Sequence, residues 1–117
     1  MRCGRIERGD APPVARAWRA ERWWQRLRGL LFRPALSPDG SEALVIVPCA
    51  SVHTFGMAYP LDLVFLDREG RVCGWREALA PWRMAGCRGA RATVELHGGT
   101  LARLAPRMGE AWTWQPR

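Results

Sequence analysis

Short alternating stretches separated by turn signals are the feature that most restricts how this chain folds. The clearest is residues 61–67, where Leu, Leu and Phe alternate with Asp, Val and Leu, a period of two that predicts a β-strand. The Asp-Arg-Glu-Gly turn that follows puts a glycine where a positive φ is needed, and residues 71–77 are the predicted partner strand. Further short runs predict strands at residues 14–18, 43–47, 52–55, 92–96 and 110–115.

One segment has the period of a helix instead. Residues 20–32 carry apolar side chains at steps of three and four with arginines on the other side, which predicts an amphipathic helix that ends before Pro34. Its apolar positions are Trp23, Trp24, Leu27, Leu30 and Leu31. Residues 100–105 predict a short helical turn capped by Thr100.

The remaining segments carry turn or loop signals. The first dozen residues end at Pro12-Pro13 and predict at most a short strand, and residues 81–91 predict a loop that carries Trp82. One amphipathic helix and about six short strands in 117 residues predict a single domain over 1–117. The expected fold is mainly β: a small antiparallel β sandwich or barrel with one covering helix near the N-terminus.

The charge of the chain invites a nucleic-acid hypothesis. The formal net charge is +7 and the isoelectric point is about 10.8. However, every basic residue is arginine, and lysine and asparagine are absent, a bias typical of a GC-rich coding sequence. Basicity alone reports solubility and nonspecific attraction, so weak nucleic-acid binding is only the third hypothesis.

The expected location follows from two absent patterns. No run of about 18 apolar residues is present, so we expect no contact with a membrane. Residues 1–13 are charged and no apolar segment follows them, so we expect no secretory signal and a cytoplasmic protein.

The cysteines and histidines do not have the spacing of a metal site. They are Cys3, Cys49, Cys73, Cys87, His53 and His97. No Cys-x2-Cys pair exists, and the cysteines fall on four separate segments. We therefore expect structural thiols, no metal and no cofactor.

Asp62 is the first candidate for chemistry. Alternation places it beside Val64 and Leu66, in a strand that is apolar on both faces, where a carboxylate must find hydrogen-bond partners. One interpretation is a structural clamp between this strand and the loop at residues 56–60. The other is a general acid/base, or a group that orients His53.

His53 lies four residues after Cys49. The two side chains are candidates for a thiolate–imidazole couple or half a metal site. The sequence offers no oxyanion hole and no third orienting group of known position. No catalytic residue is therefore assigned; the candidates are His53, Asp62 and Cys49.

Seven tryptophans are far more than usual for this length. Trp75, Trp82, Trp112 and Trp114 would form a stacking platform if they were exposed together. Arg76 and Arg83 would then add cation–π and anion contacts. The alternative is an aromatic core with solvated arginines.

Several separated motifs resemble one family, Domain of Unknown Function 192. They are Arg26-Leu27-Arg28-Gly29-Leu30-Leu31, Arg33 with Leu36, Val52-His53-Thr54-Phe55-Gly56-Met57, Pro60-Leu61-Asp62-Leu63-Val64-Phe65-Leu66-Asp67, Gly70 with Val72, Pro81-Trp82, and Glu95-Leu96 followed by a glycine two residues on. The resemblance covers roughly residues 17–114. It implies a small β-rich fold and no reaction, because the family as a whole is uncharacterised. Many relatives look exported, and many carry tryptophan before the core methionine, which argues against a universal catalytic role for His53.

The leading hypothesis is a non-enzymatic ligand-binding or protein-interaction module. Its expected binding residues are His53, Thr54, Met57, Asp62, Trp82 and Arg83. The alternative is a small hydrolase that uses His53, Asp62 and Cys49. We expect a monomer whose partner is a small molecule or a protein.

Overall fold

The computed structural model describes residues 1–22 and 35–117. Within these ranges the first four strands are β1 (Arg2–Arg8), β2 (Ala11–Ala20), β3 (Glu42–Ile46) and β4 (Ser51–His53). They are followed by β5 (Leu61–Leu66), β6 (Val72–Leu79), β7 (Met84–Gly86), β8 (Ala92–His97), helix α1 (Thr100–Leu104) and β9 (Thr113–Pro116). Seven strands form one sheet in the order β6-β5-β8-β3-β2-β1-β9, and β4 and β7 form a separate two-stranded ribbon.

The mainly β class predicted from the sequence is confirmed, but the large sheet is mixed and is not a closed barrel. β2 and β3 run parallel, and the other pairings are antiparallel. A parallel pair needs a long connection to bring the chain back to the same end of the sheet, and 21 residues separate the end of β2 at Ala20 from the start of β3 at Glu42. An isolated bridge between Arg71 and Ala111 joins the chain just before β6 to the chain just before β9, so the sheet curls until its two ends meet at one corner.

The predicted covering helix at residues 20–32 lies outside the described residues, except for its first three positions. Of these, Ala20 is the last residue of β2.

Three strands, β1, β2 and β7, differ from the elements predicted from the sequence. β1 has seven residues, and β2 runs through Pro12 and Pro13. Proline lacks the N–H that a sheet interior requires. Because β2 pairs with β3 only from Arg16 onward, Pro12 and Pro13 lie outside the part of β2 that is hydrogen-bonded to β3. β7 interrupts the predicted loop at residues 81–91.

Two apolar clusters lie on the two faces of the large sheet. Strand β5 is buried at all six positions because it contributes to both. Val64 and Leu66 belong to the first core cluster, which includes Leu101 and Leu104 of α1. Leu61, Leu63 and Phe65 belong to the second core cluster, which includes Val52 of β4 and against which Ala85 of β7 packs. Helix α1 therefore covers one face, and the ribbon lies on the other.

Buried polar side chains hold both ends of α1. At its start, Oδ2 of Asp62 accepts a hydrogen bond from the Leu101 N–H at 2.8 Å. At its end, Nη2 of Arg8 donates to the Leu104 carbonyl at 2.7 Å. The N-cap position is Gly99 and no side-chain cap is present there, so Asp62, and not Thr100, supplies the acceptor. Arg8 also pairs with Glu110 at 2.8 Å.

Candidate functional site

The ribbon presents one apolar face to the core and another to solvent. Along β4 and β7, Val52 is buried and Ala85 half-buried, whereas His53 and its register partner Met84 are exposed. Alternate residues of a strand point to opposite faces, so the ribbon packs on the second core cluster and exposes its outer face. Gly86 allows the close pairing, because a Cβ there would lie 2.9 Å from the Ser51 Cβ.

Thr54 fastens the chain before β7 to the end of β4. It is fully buried, and its Oγ1 donates to the Ala80 carbonyl at 2.6 Å and accepts from the Arg83 N–H at 2.9 Å. Its backbone N–H donates to the Arg83 carbonyl at 2.8 Å, and its carbonyl accepts from the Trp82 N–H at 3.0 Å. The side-chain hydroxyl, as donor and as acceptor, and both backbone polar groups of Thr54 thus hold residues 80–83 in place.

Trp82 is held in an unusual backbone conformation with its ring in solvent. Its φ is +64°, a left-handed value that is rare and costly for a bulky residue, and 63% of the residue is exposed. Such strain persists only where the surroundings impose it, and here the hydrogen bonds of Thr54 do so. The exposed position of this indole is therefore maintained at some cost in folding free energy.

Three rings and a methionine form a continuous exposed surface. The Trp82 ring stacks on Phe55 with centroids 5.7 Å apart, and Phe55 lies 5.0 Å from the His53 ring. Phe55 is 42% and Met84 65% exposed. We call His53, Phe55, Trp82 and Met84 the ribbon surface.

Polar groups border the ribbon surface. The exposed Arg83 is next to Trp82 and its Nη1 donates to the Trp82 carbonyl at 3.2 Å. Nδ1 of the exposed His53 accepts from the Phe55 N–H at 3.3 Å. Met57 is half-buried against the second core cluster, and its N–H donates to the Thr54 carbonyl, so it supports the turn beneath Phe55.

Asp62 lies elsewhere. It is fully buried, on the same strand face as Val64 and Leu66 of the first core cluster. Its Oδ1 accepts from the Ala78 N–H at 2.7 Å, and its Oδ2 from Leu101. Its partners are thus neither His53 nor residues 56–60, and the structure joins it to β6 and α1.

Cys49 and the tryptophans divide between core and surface. The Cys49 thiol donates a hydrogen bond to the Ser51 carbonyl at 3.0 Å, and the ring of His53 instead bonds the Phe55 N–H. Trp112 is buried under Arg8, whose guanidinium lies 4.8 Å from the ring centroid. Trp114 packs against the first core cluster, and Trp75 is 40% exposed on β6. Trp82 is therefore the one member of the predicted tryptophan platform that lies on the ribbon surface; Arg83 borders it, and Arg76 is an exposed residue of β6.

Glu95 is a buried carboxyl group. In the sequence it appears within the Glu95-Leu96 motif, and its burial was not predicted. On β8 it faces Leu44 and Leu63, both of the second core cluster. Its Oε2 has no hydrogen-bond partner, and burial raises the pKa of its carboxyl to about 8. A lone acidic residue in the apolar run at residues 92–96 was the available signal. Perturbed carboxyls of this kind are concentrated at functional sites, although Glu95 does not reach the ribbon surface.

The two histidines have separate aromatic neighbours. His97 stacks on Tyr59 with centroids 4.9 Å apart, and burial raises the pKa of the Tyr59 phenol. Within residues 1–22 and 35–117, no three side chains of histidine, cysteine, aspartate or glutamate are grouped to hold a metal ion.

Comparison with known proteins identifies the family. A model of DUF192, described as an uncharacterised ACR, matches residues 5–114. The chain belongs to the DUF192 family. The UPF0127 protein of Thermococcus sibiricus is 32% identical to it over 103 residues. This match covers 82% of the present chain and 64% of the archaeal protein. The chain therefore spans less than two thirds of that relative's length.

Solved structures share the fold of this DUF192 protein. A Novosphingobium aromaticivorans protein of unknown function matches it with a TM-score of 0.80 and 24% identity, over 96% of this chain and 84% of that one. A Sinorhizobium meliloti protein, named as a candidate transcription regulator, matches with a TM-score of 0.79 and 19% identity, over 97% and 92% of the two chains. At these identities the likeness concerns the fold alone.

The names of the family model and of the archaeal relative state no activity, and the family resemblance seen in the sequence is confirmed. In the described part of the chain, no helix has the length and apolar character needed to cross a membrane.

Proposed function

We propose that this DUF192 protein is a non-enzymatic protein-interaction module that binds a partner through the ribbon surface. The observation that carries the proposal is the geometry of Trp82, an exposed indole held at a positive φ by a fully buried threonine. Non-glycine residues held at such φ values cluster at ligand-binding and other functional sites. Stacking with Phe55 adds a second ring to the same surface.

The composition of the ribbon surface favours a protein partner. Aromatic residues and methionine are enriched at the centres of protein interfaces, and methionine adapts its shape to different partners. The surface is also preorganised by the bonds of Thr54, so less conformational entropy is lost on binding.

The charge of the chain favours an acidic partner segment. The formal net charge is +7, and Arg83 borders the rings with its guanidinium exposed. Charge complementarity raises the association rate and selects partners. We therefore propose an acidic segment with an aromatic or aliphatic side chain that packs on Trp82 and Phe55.

The hydrolase alternative has less support. It needs His53 and Asp62 at one site, but both carboxyl oxygens of Asp62 accept hydrogen bonds from backbone N–H groups, those of Ala78 on β6 and Leu101 on α1. His53 is exposed on the ribbon and its Nδ1 bonds Phe55. The proposed binding residues are therefore the ribbon surface with Thr54, Met57 and Arg83 as its support and border, and Asp62 is left out. The cytoplasmic location and the monomeric state remain predictions.

The proposal is tested by NMR on the isotope-labelled protein with defined probes. The probes are an acidic peptide pool rich in aromatic residues, a basic pool of equal aromatic content, a short single-stranded oligonucleotide and a set of soluble oligosaccharides. Binding of the acidic pool is expected to shift the amide signals of Phe55, Trp82 and Arg83.

Two outcomes would argue for another function. Shifts at the ribbon surface with the oligosaccharides alone would make the site a sugar platform. Shifts with the oligonucleotide that vanish steeply as salt rises would support the nucleic-acid hypothesis. The absence of ribbon shifts with every probe would count against the ribbon surface as a binding site.

A further inference from the structure

Two cysteine side chains from separate parts of the chain meet beside the ribbon. Cys73 lies on β6 and Cys87 directly follows β7, and their Sγ atoms are 3.7 Å apart. Within residues 1–22 and 35–117, which include all four cysteines, no other pair of cysteine thiols is hydrogen-bonded. Both thiols are partly exposed, so a small reagent has access to them.

We propose that Cys73 and Cys87 form a thiol–disulfide exchange site whose oxidant is a small disulfide such as glutathione disulfide. The Cys87 thiolate attacks one sulfur of the oxidant, forms a mixed disulfide and releases one thiolate. The Cys73 thiolate then attacks the Cys87 sulfur and releases the second. Two protein thiols become one disulfide and one small disulfide becomes two thiols, so two electrons and two protons pass from protein to oxidant.

The local packing suits a bond between these sulfur atoms. A disulfide requires an S–S length of about 2.0 Å, so the sulfurs, now 3.7 Å apart, must approach by about 1.7 Å. A Cβ at residue 74 would lie 3.0 Å from the Cys87 Sγ, so Gly74 leaves the space that Cys87 occupies. Weak thiol hydrogen bonds from Cys73 to the Phe65 carbonyl and from Cys87 to the Cys73 carbonyl keep the pair together.

The positions of the two thiols favour Cys87 as the first nucleophile. Its Sγ contacts the carbonyl of the exposed Arg88 at 3.7 Å, whereas the Sγ of Cys73 contacts the Phe65 carbonyl of the buried strand β5 at 3.4 Å. Burial, together with the hydrogen bond to the Cys87 thiol, raises the pKa of Cys73 to about 11. A thiol with so small a thiolate fraction is a slow first nucleophile but becomes competent once a disulfide is held next to it. Cys87 is thus the attacking residue and Cys73 the resolving one.

A disulfide here would join the ribbon to the large sheet. In the described part of the chain β7 pairs with β4 and β6 pairs with β5, so the S–S bond would add a covalent tie between the two sheets. This inference does not rest on the binding proposed for the ribbon surface.

The test begins with the fully reduced protein and glutathione disulfide at increasing ratios to glutathione. Remaining thiols are blocked with a maleimide, and the products are measured by intact mass and non-reducing peptide mapping. Of the four cysteines, only Cys3 and Cys49 are then expected to carry the maleimide, with a mass about 2 Da below that of the reduced protein with two adducts. Peptide mapping should give a single linked pair that contains Cys73 and Cys87. A double variant, Cys3→Ser with Cys49→Ser, is expected to give the same product.

Single variants test the order of attack. Cys73→Ser is expected to accumulate the glutathione adduct on Cys87, and Cys87→Ser to form its adduct on Cys73 roughly tenfold more slowly. Adducts without an internal link in the wild-type protein, or a link that forms only in denaturant, would overturn the proposed site. A faster adduct on Cys73 would overturn the order of attack.

Discussion

Replacement of Glu95 with glutamine is expected to stabilise the protein by an amount that grows with pH. Burial between strands β3 and β5 raises the pKa of the Glu95 carboxyl from 4.5 to about 8. Between these values the folded protein binds a proton that the unfolded chain has released, so the wild-type protein loses stability as pH rises through this window. Glutamine has nearly the same shape and carries no such penalty.

The magnitude follows from the width of the window. Each unit of pKa difference corresponds to about 1.4 kcal/mol. The advantage of Glu95→Gln in the free energy of unfolding is therefore close to zero at about pH 4, about 3 kcal/mol at pH 7 and nearly 5 kcal/mol at pH 9. Several kcal/mol is a large share of the ~5–15 kcal/mol that stabilise a small domain.

Urea unfolding followed by tryptophan fluorescence measures this effect across the pH range. Glu77→Gln is the matched control, because Glu77 is exposed on β6 and its replacement removes the same charge without relieving burial. A difference between Glu95→Gln and wild type that does not change with pH, or a less stable variant at pH 7, would refute the reasoning.

Two further substitutions test the hydrogen bonds made by the buried side chains of Asp62 and Thr54. Asp62→Ala leaves the buried N–H of Leu101 and the partly buried N–H of Ala78 without their acceptor. The buried group alone costs about 1–3 kcal/mol, so urea unfolding should report a loss of about 2–4 kcal/mol; a loss under about 1 kcal/mol would contradict this role of Asp62. Thr54→Val keeps the shape of the side chain but removes the Oγ1 hydrogen bonds that hold residues 80–83. Amide hydrogen exchange at Trp82 should therefore accelerate at least tenfold. Unchanged exchange would mean that the Thr54 hydroxyl does not hold these residues in place.

Local patterns in the sequence predicted the elements that depend on neighbouring residues. The β5–β6 hairpin follows from alternation and from the turn at Asp67, whose Oδ1 accepts hydrogen bonds from the Glu69 and Arg71 N–H groups. The same alternation correctly placed Asp62 on the face of Val64. Its partners could not be predicted, because Leu101 is 39 residues away and only the folded sheet brings the two together.

The ribbon surface depends on contacts that no local pattern reports. Residues 81–91 read as a loop because β7 has three residues, and its pairing with β4 connects segments about 30 residues apart. The positive φ of Trp82 contradicts its intrinsic preference and results from the hydrogen bonds of Thr54. The sequence singled out His53, Thr54 and Trp82 separately; Phe55 and Met84 became part of the surface only through the three-dimensional arrangement.

A matched pair of methionine variants tests binding at the ribbon surface most directly. Met84 is 65% and Met108 63% exposed, and only Met84 belongs to the ribbon surface. The affinity of the best acidic peptide is measured by calorimetry for the wild type, Met84→Ala and Met108→Ala. We predict that Met84→Ala weakens binding by about tenfold, as truncation at an interface centre does, while Met108→Ala binds like the wild type. Equal affinity for all three proteins, or an equal loss in both variants, would contradict binding at this surface.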